Sequence, residues 1–226
     1  MRTKVLLCAA TVAAGALTSM AQNVYSLNVV GYINLNLAPG LSLVANQLDA
    51  DGTLTNNYVT NIFGATLPAG SAIYAFNGST YLSGKFLASG KWNGGASSLT
   101  PYLAPGSGVF VQNAGASAVT VTLVGQVIQG TNTVAIAPNG GLTVVSSIAP
   151  ISGGFQSVLG YTPTVGDTVI PWVAGTTQNY GSAHKYLASG KWSGGGEYVP
   201  AVGEAVFLST APANNNTGWT QIFTVQ

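Results

Sequence analysis

The chain has one cysteine, one histidine and one arginine in 226 residues, and only 5% of its residues are charged. Each scarcity removes a class of chemistry. Cys8 sits in an amino-terminal stretch with the features of a secretory signal. Arg2 and Lys4 form a basic start, Val5 to Leu17 an apolar centre, and Ser19-Met20-Ala21 a small-x-small cleavage site. Inside that apolar centre Cys8 lies too early for a lipoprotein anchor, and it leaves with the signal. From Gln22 onward no thiol is left for a disulfide or a thiolate metal site, so stability has to come from burial. That part of the chain is long enough for one large or two ordinary domains with a proper core. It contains no run of about 18 apolar residues, so the positive mean hydropathy of +0.37 comes from dispersed Val, Ala, Leu and Ile rather than a membrane span. The expected location is secreted: extracellular, cell surface or periplasmic.

Beyond the signal, four lysines face Asp49, Asp51, Asp167, Glu197 and Glu204. This is far below the usual charged fraction of about 25%. No basic stripe exists for a phosphate backbone, which excludes nucleic acid as a partner. A surface of Ser, Thr, Asn, Gln and Gly has little long-range repulsion, so the chain itself and cell-envelope glycans are the partners it admits.

What the chain does have is self-similarity. Lys85-Phe-Leu-Ala-Ser-Gly-Lys-Trp92 returns as Lys185-Tyr-Leu-Ala-Ser-Gly-Lys-Trp192, seven identities in eight at a spacing of one hundred. Further anchors extend the match. Leu37-Ala-Pro-Gly-Leu-Ser-Leu-Val44 pairs with Ile136-Ala-Pro-Asn-Gly-Gly-Leu-Thr-Val-Val145, Gly70 to Tyr74 with Gly166 to Ile170, and Gly106 to Val111 with Gly203 to Leu208. The chain is an internal duplication, with drift confined to loops. The organisation expected is a signal at 1–21, one β-repeat domain at 22–126 and a second at 127–226.

The local pattern is strand. Tyr25, Leu27 and Val29 alternate with polar residues, as do Ile33, Leu35 and Leu37, and Val119, Val121 and Leu123. Val59, Ile62 and Phe63 recur as Phe155, Val158 and Leu159, each set followed by Gly64 or Gly160, the spacing of one helical turn closed by glycine. The fold predicted is all-β: two tandem antiparallel β-sandwich or barrel-like repeats, each with one short helix. Leu27 to Tyr32, Val119 to Gly125 and Trp219 to Val225 resemble one another, so one strand type occurs three times. The first and last copies either pair within the molecule, which the pattern favours, or lie at open edges that invite another chain.

Candidate chemistry is sparse. His184 has no cysteine partner for a zinc site and no Gly-x-Ser-x-Gly elbow to serve, and the first copy has Gly84 in its place. Gly84 to Lys91 is one residue too long for a phosphate loop, with Trp92 where the magnesium-binding hydroxyl belongs. Asp49-Ala-Asp51-Gly52 lacks the glycine position and the glutamate of a calcium loop, and reads as a solvated turn. The five acids stand at non-equivalent places, so no glycosidase pair can be nominated. No cofactor or metal is expected. Tyr25, Tyr32, Tyr74, Tyr81, Tyr102 and Tyr180 are too dispersed in sequence to form a platform.

The octapeptides are the one repeated constellation. Ala88-Ser89-Gly90 fits a three-residue hairpin loop with glycine in the left-handed position, which sets Phe86 opposite Trp92 and Tyr186 opposite Trp192. Two readings are open. Lys85, Lys91, Trp92, Lys185, Lys191 and Trp192 can form a glycan surface, with indole faces for sugar rings and ammonium groups for acidic substituents. Alternatively the tryptophans fill the core and the lysines guard a hairpin from edge pairing.

The proline-glycine turn entering a core strand at Leu37 to Asn46, the strand Gly70 to Tyr74 and the segment Leu103-Ala-Pro-Gly-Ser-Gly-Val-Phe-Val111 resemble the repeat unit of an uncharacterised secreted β-repeat family of environmental diderm bacteria. Two departures are Val109, where an aromatic is common, and Ala205, which replaces the second glycine in the second copy. The resemblance covers nearly all of 22–226 and implies an exported β-repeat fold without catalytic residues. The function expected is a secreted, non-catalytic structural or cell-envelope surface protein. A carbohydrate-binding module is the alternative, and a secreted hydrolase the second alternative.

Overall fold

The structure, a computed structural model, describes residues 29–63, 66–93 and 102–225. The signal read at 1–21, the strand residues Tyr25 and Leu27, and Gly64 lie outside the described residues. Almost all regular structure is antiparallel strand. Alternation at Ile33, Leu35 and Leu37 forms β1 (Val30–Leu37), which pairs along its whole length with β6 (Val119–Gln126), Ile33 opposite Leu123 and Leu35 opposite Val121. This two-stranded ribbon lays its apolar side on a four-stranded sheet. The sheet has the order β2 (Gly40–Ala45), β5 (Gly108–Asn113), β3 (Ala72–Phe76), β4 (Tyr81–Lys85). Val44, Val109, Val111 and Ile73 of the sheet close one core with the ribbon.

The second half repeats the plan. β7 (Gly130–Ala135) pairs with β14 (Gly218–Phe223), and the facing sheet runs β8 (Leu142–Val145), β13 (Val206–Ser209), β9 (Thr168–Ile170), β12 (His184–Lys185). Its core holds Val134, Val145, Val169, Val206, Leu208 and Trp219. The hairpin β10 (Trp172–Val173) with β11 (Asn179–Tyr180) continues β9 and β12 past Pro171 and Gly181, and Trp172 opposite Tyr180 matches Phe76 opposite Tyr81 at the far end of β3 and β4.

The two sheets also bury their other faces, against each other. Leu43, Ala45 and Phe110 meet Val144, Ala205 and Phe207 in a third cluster. The layers therefore run ribbon, sheet, sheet, ribbon. Burial on both faces explains why Val109-Phe110-Val111 and Val206-Phe207-Leu208 are consecutive apolar runs rather than alternating ones. The described strands form open sheets stacked as sandwiches, and the barrel alternative is not what they build. The seam between sheets is reciprocal. Ala45 N donates to Gly203 O at 2.9 Å, and Ser146 N donates to Gly106 O at 2.8 Å.

One expectation needs correction. The helix of the first half is present as α1 (Val59–Phe63), but residues 155–159 form a hydrogen-bonded turn, not a helix. Gly153 and Gly154 precede it, and the amides of Gln156 and Ser157 are capped by the Glu197 carboxylate at 2.8 and 3.0 Å. Val158 and Leu159 then both donate to Gly154 O, so the turn closes without propagating. The first and last strands each pair within the molecule, as the pattern favours, though with neighbours rather than with each other. β1 takes the middle copy, β6, and β14 takes β7, because the inward residues of each belong to different cores. Among the described residues no helix is long and apolar enough to cross a membrane.

Candidate functional site

Both octapeptides form the same hairpin. Leu87 N donates to Lys91 O at 2.8 Å and Gly90 N to Leu87 O at 3.0 Å; in the second copy Leu187 and Gly190 donate at 2.9 and 3.0 Å. Gly90 and Gly190 have φ of 73° and 74°, the left-handed region that glycine enters without penalty. Phe86 bridges to Trp92 and Tyr186 to Trp192, with ring centroids 5.3 Å apart in each pair. Lys85, Lys91, Lys185 and Lys191 are exposed, while Trp92 and Trp192 are half-buried and packed against the two ribbon-sheet cores. The Trp192 indole N–H also donates to Gln156 Oε1 at 3.1 Å.

The acids are spent on loops. Asp51 is exposed and accepts from Thr53 N at 3.0 Å, and that amide, with the Thr53 and Thr55 hydroxyls, holds its carboxyl below the ordinary range. Asp49 departs from the solvated turn read in the sequence: it is buried, accepting from Leu54 N at 3.0 Å and Asn57 Nδ2 at 2.9 Å. Asp167 is fully buried and accepts from Tyr161 Oη at 2.6 Å, Thr164 N at 2.7 Å, Ala211 N at 2.6 Å and Asn214 Nδ2 at 2.8 Å. Burial first, and Asp167 second, push the Tyr161 phenol well above its usual value. Burial and then Glu204, which accepts from its hydroxyl, do the same for Tyr198. His184 Nδ1 donates to Gly196 O at 2.7 Å, and the ring packs on Tyr198. Among the described residues no three His, Cys, Asp or Glu cluster as a metal site.

What sequence spacing hides is a cleft of about 540 Å³ where the two sheets diverge, lined by Leu41, Tyr74, Tyr81, Ser83, Phe110, Trp172 and Tyr180. Three of the tyrosines dispersed in sequence converge here. Register explains how. Tyr74 lies opposite both Ser83 and Phe110, and Phe76 opposite Tyr81, so these side chains share the face of the first sheet that looks toward the second. The β10–β11 hairpin supplies the other wall, with Trp172 directly opposite Tyr180. It reaches across to the first half: Trp172 Nε1 donates to Leu41 O at 3.0 Å and Leu41 N donates to Gln178 Oε1 at 2.9 Å. Both bonds fall on β2, the edge strand of its sheet, whose backbone groups the hairpin thereby covers. The rings interlock edge to face, Phe110 with Trp172 at 4.8 Å, Trp172 with Tyr180 at 5.3 Å and Tyr180 with Phe207 at 5.6 Å.

No protein-family model, curated protein or solved structure matches this chain. What the cleft and the hairpins can do therefore follows from their own residues. One sequence signal pointed toward the cleft: Ala72-Ile-Tyr-Ala-Phe76 and Gly108-Val-Phe-Val111 are apolar at successive positions, which a strand with one wet face would not be. Trp172 and Tyr180 carried no such signal, since Pro171 and Gly181 interrupt the strand pattern beside them.

Proposed function

We propose that this chain is a secreted, non-catalytic structural protein of the cell envelope, which acts by presenting rigid surfaces to its neighbours. The observation that supports this reading is the use made of its carboxylates. Asp49, Asp51, Asp167, Glu197 and Glu204 each accept from backbone amides of a nearby loop, and thus fasten connections of a sandwich that has no disulfides. Self-association is the contact the surface favours. On the outer face of the β1–β6 ribbon, Val30, Tyr32 and Val124 are 67%, 74% and 61% exposed, with Tyr32 directly opposite Val124. Adjacent exposed apolar side chains on a two-stranded edge are what a neighbouring copy can cover.

Light scattering of the mature protein across concentration tests this. Assembly that weakens in a Tyr32→Ser, Val124→Thr variant is the expected result. A chain that stays monomeric at high concentration and binds no envelope fraction would overturn the reading.

The second reading, glycan binding at the hairpins, keeps one observation in its favour: Lys85, Lys91, Lys185 and Lys191 are exposed on two matching hairpins, each beside an aromatic pair. Because the tryptophans also pack on the cores, lysine variants are the cleaner probe. Changing Lys85, Lys91, Lys185 and Lys191 to Gln should abolish retention on acidic polysaccharide if this reading holds, and unchanged retention would end it.

A further inference from the structure

We propose that the aromatic cleft between the two sheets binds an uncharged, largely apolar small molecule of one or two rings. Size sets the first limit. A volume of about 540 Å³ is that of a small-molecule site rather than of a docked protein element. Charge sets the second, because the lining contains no Lys, Arg, His, Asp or Glu to meet an ionic group.

Hydrogen bonding sets the third limit. The Trp172 N–H is taken by Leu41 O, the Tyr74 hydroxyl donates to Gln112 Oε1 at 3.1 Å, and burial first, with Tyr180 second, pushes the Tyr81 phenol up. A sugar entering the cleft would have several hydroxyls to satisfy and few partners, a cost that a ring with at most one polar substituent avoids. Ring faces and edges, by contrast, are plentiful, since five of the seven lining residues are aromatic. Tyr81 and Tyr180 are 42% and 52% exposed at the mouth, so a bound ring would cover apolar surface that now faces water. The hairpin carrying Trp172 and Tyr180 holds one wall in place through its two bonds to Leu41. That wall also provides an optical reporter, the Trp172 indole.

The neutral two-ring fluorophore N-phenyl-1-naphthylamine is the probe. Titrated into the mature protein, it should give a saturable, one-to-one rise in emission with energy transfer from tryptophan, and Trp172→Phe should remove most of that transfer. Ser83→Trp, at an exposed position on the cleft floor, should weaken the probe at least tenfold with an unchanged thermal midpoint. Tyr81→Arg, also at an exposed position, should weaken it similarly by placing a charge at the mouth, and stands in if the first variant folds poorly. No saturation up to the solubility limit of the probe would overturn the proposal. So would binding that both variants leave untouched, which would place the probe elsewhere. Quenching of Trp172 by neutral cellohexaose without probe binding would overturn it too, by making the cleft a sugar site.

Discussion

Asp167 and Ser71 occupy matching places, each just before the third strand of its sheet, and both hold the backbone of a following loop. Ser71 Oγ accepts from Ala114 N at 3.1 Å, and Asp167 Oδ1 accepts from Ala211 N at 2.6 Å. Asp167 has in addition gathered Tyr161, Thr164 and Asn214 around its second oxygen. Removing it strands several buried donors, so Asp167→Ala should cost at least about 3 kcal/mol in urea unfolding. Asp167→Asn should cost nearly as much, because an amide N–H would point at donors. The surface acid Glu197 gives a gentler test. Its partial burial raises its pKa, but the Ser157 and Gln156 hydrogen bonds outweigh that and hold it below 4.5. A depressed folded pKa means the contribution is complete above the unfolded value and is lost as pH falls through the folded one. Between about pH 6 and pH 3, the wild type should therefore lose roughly 1 kcal/mol more stability than Glu197→Gln. For Tyr161 the sign is reversed. Its raised pKa contributes stability that is complete below 10.0 and lost as pH rises further, so Tyr161→Phe should blunt alkaline unfolding followed by phenolate absorbance.

At the scale of elements, the hairpins were the most legible part of the sequence. Three residues with a terminal glycine admit few geometries, so Ala-Ser-Gly between matched flanks specified both the bulge and the aromatic pair. A Cβ on Gly90 would meet nothing within 4 Å, so the penalty of Gly90→Ala is purely conformational, about 1 to 2 kcal/mol. Gly190→Ala should match it in thermal denaturation. The alternation of β1 and β6 was legible for the same local reason. The pairing of the terminal strands was not, since three similar strands carry the same inward pattern and only the cores beneath distinguish their partners. The turn at 155–159 has helical spacing, yet it depends on Glu197, forty residues away and invisible to a local pattern.

The whole molecule hides its cleft from the sequence because the walls come from β3, β4 and β5 of one half and the β10–β11 hairpin of the other, about a hundred residues away. Consecutive apolar positions in β5 and β13 signalled two buried faces, but not that each covers the other. That contact should couple the halves in unfolding. Phe207→Ala removes a ring within 6 Å of Phe76, Phe110 and Tyr180 and should cost about 3 to 5 kcal/mol. It should also split a single calorimetric transition toward two. At the centre of the same seam lie Gly108 and Ala205, the matching positions of the two copies. A Cβ on Gly108 would collide with that of Ala205 and stand 2.8 Å from Val44 O. Two identical chains meeting across such a seam would have to carry the same residue twice, and two methyl groups do not fit. Joining the copies in one polypeptide frees each side to differ, so one can be bare where the other is filled. Gly108→Ala should thus be harmful on its own and eased by Ala205→Gly, which moves the single methyl across the seam. The two halves are in this respect asymmetric in a way that two separate, identical subunits could not be.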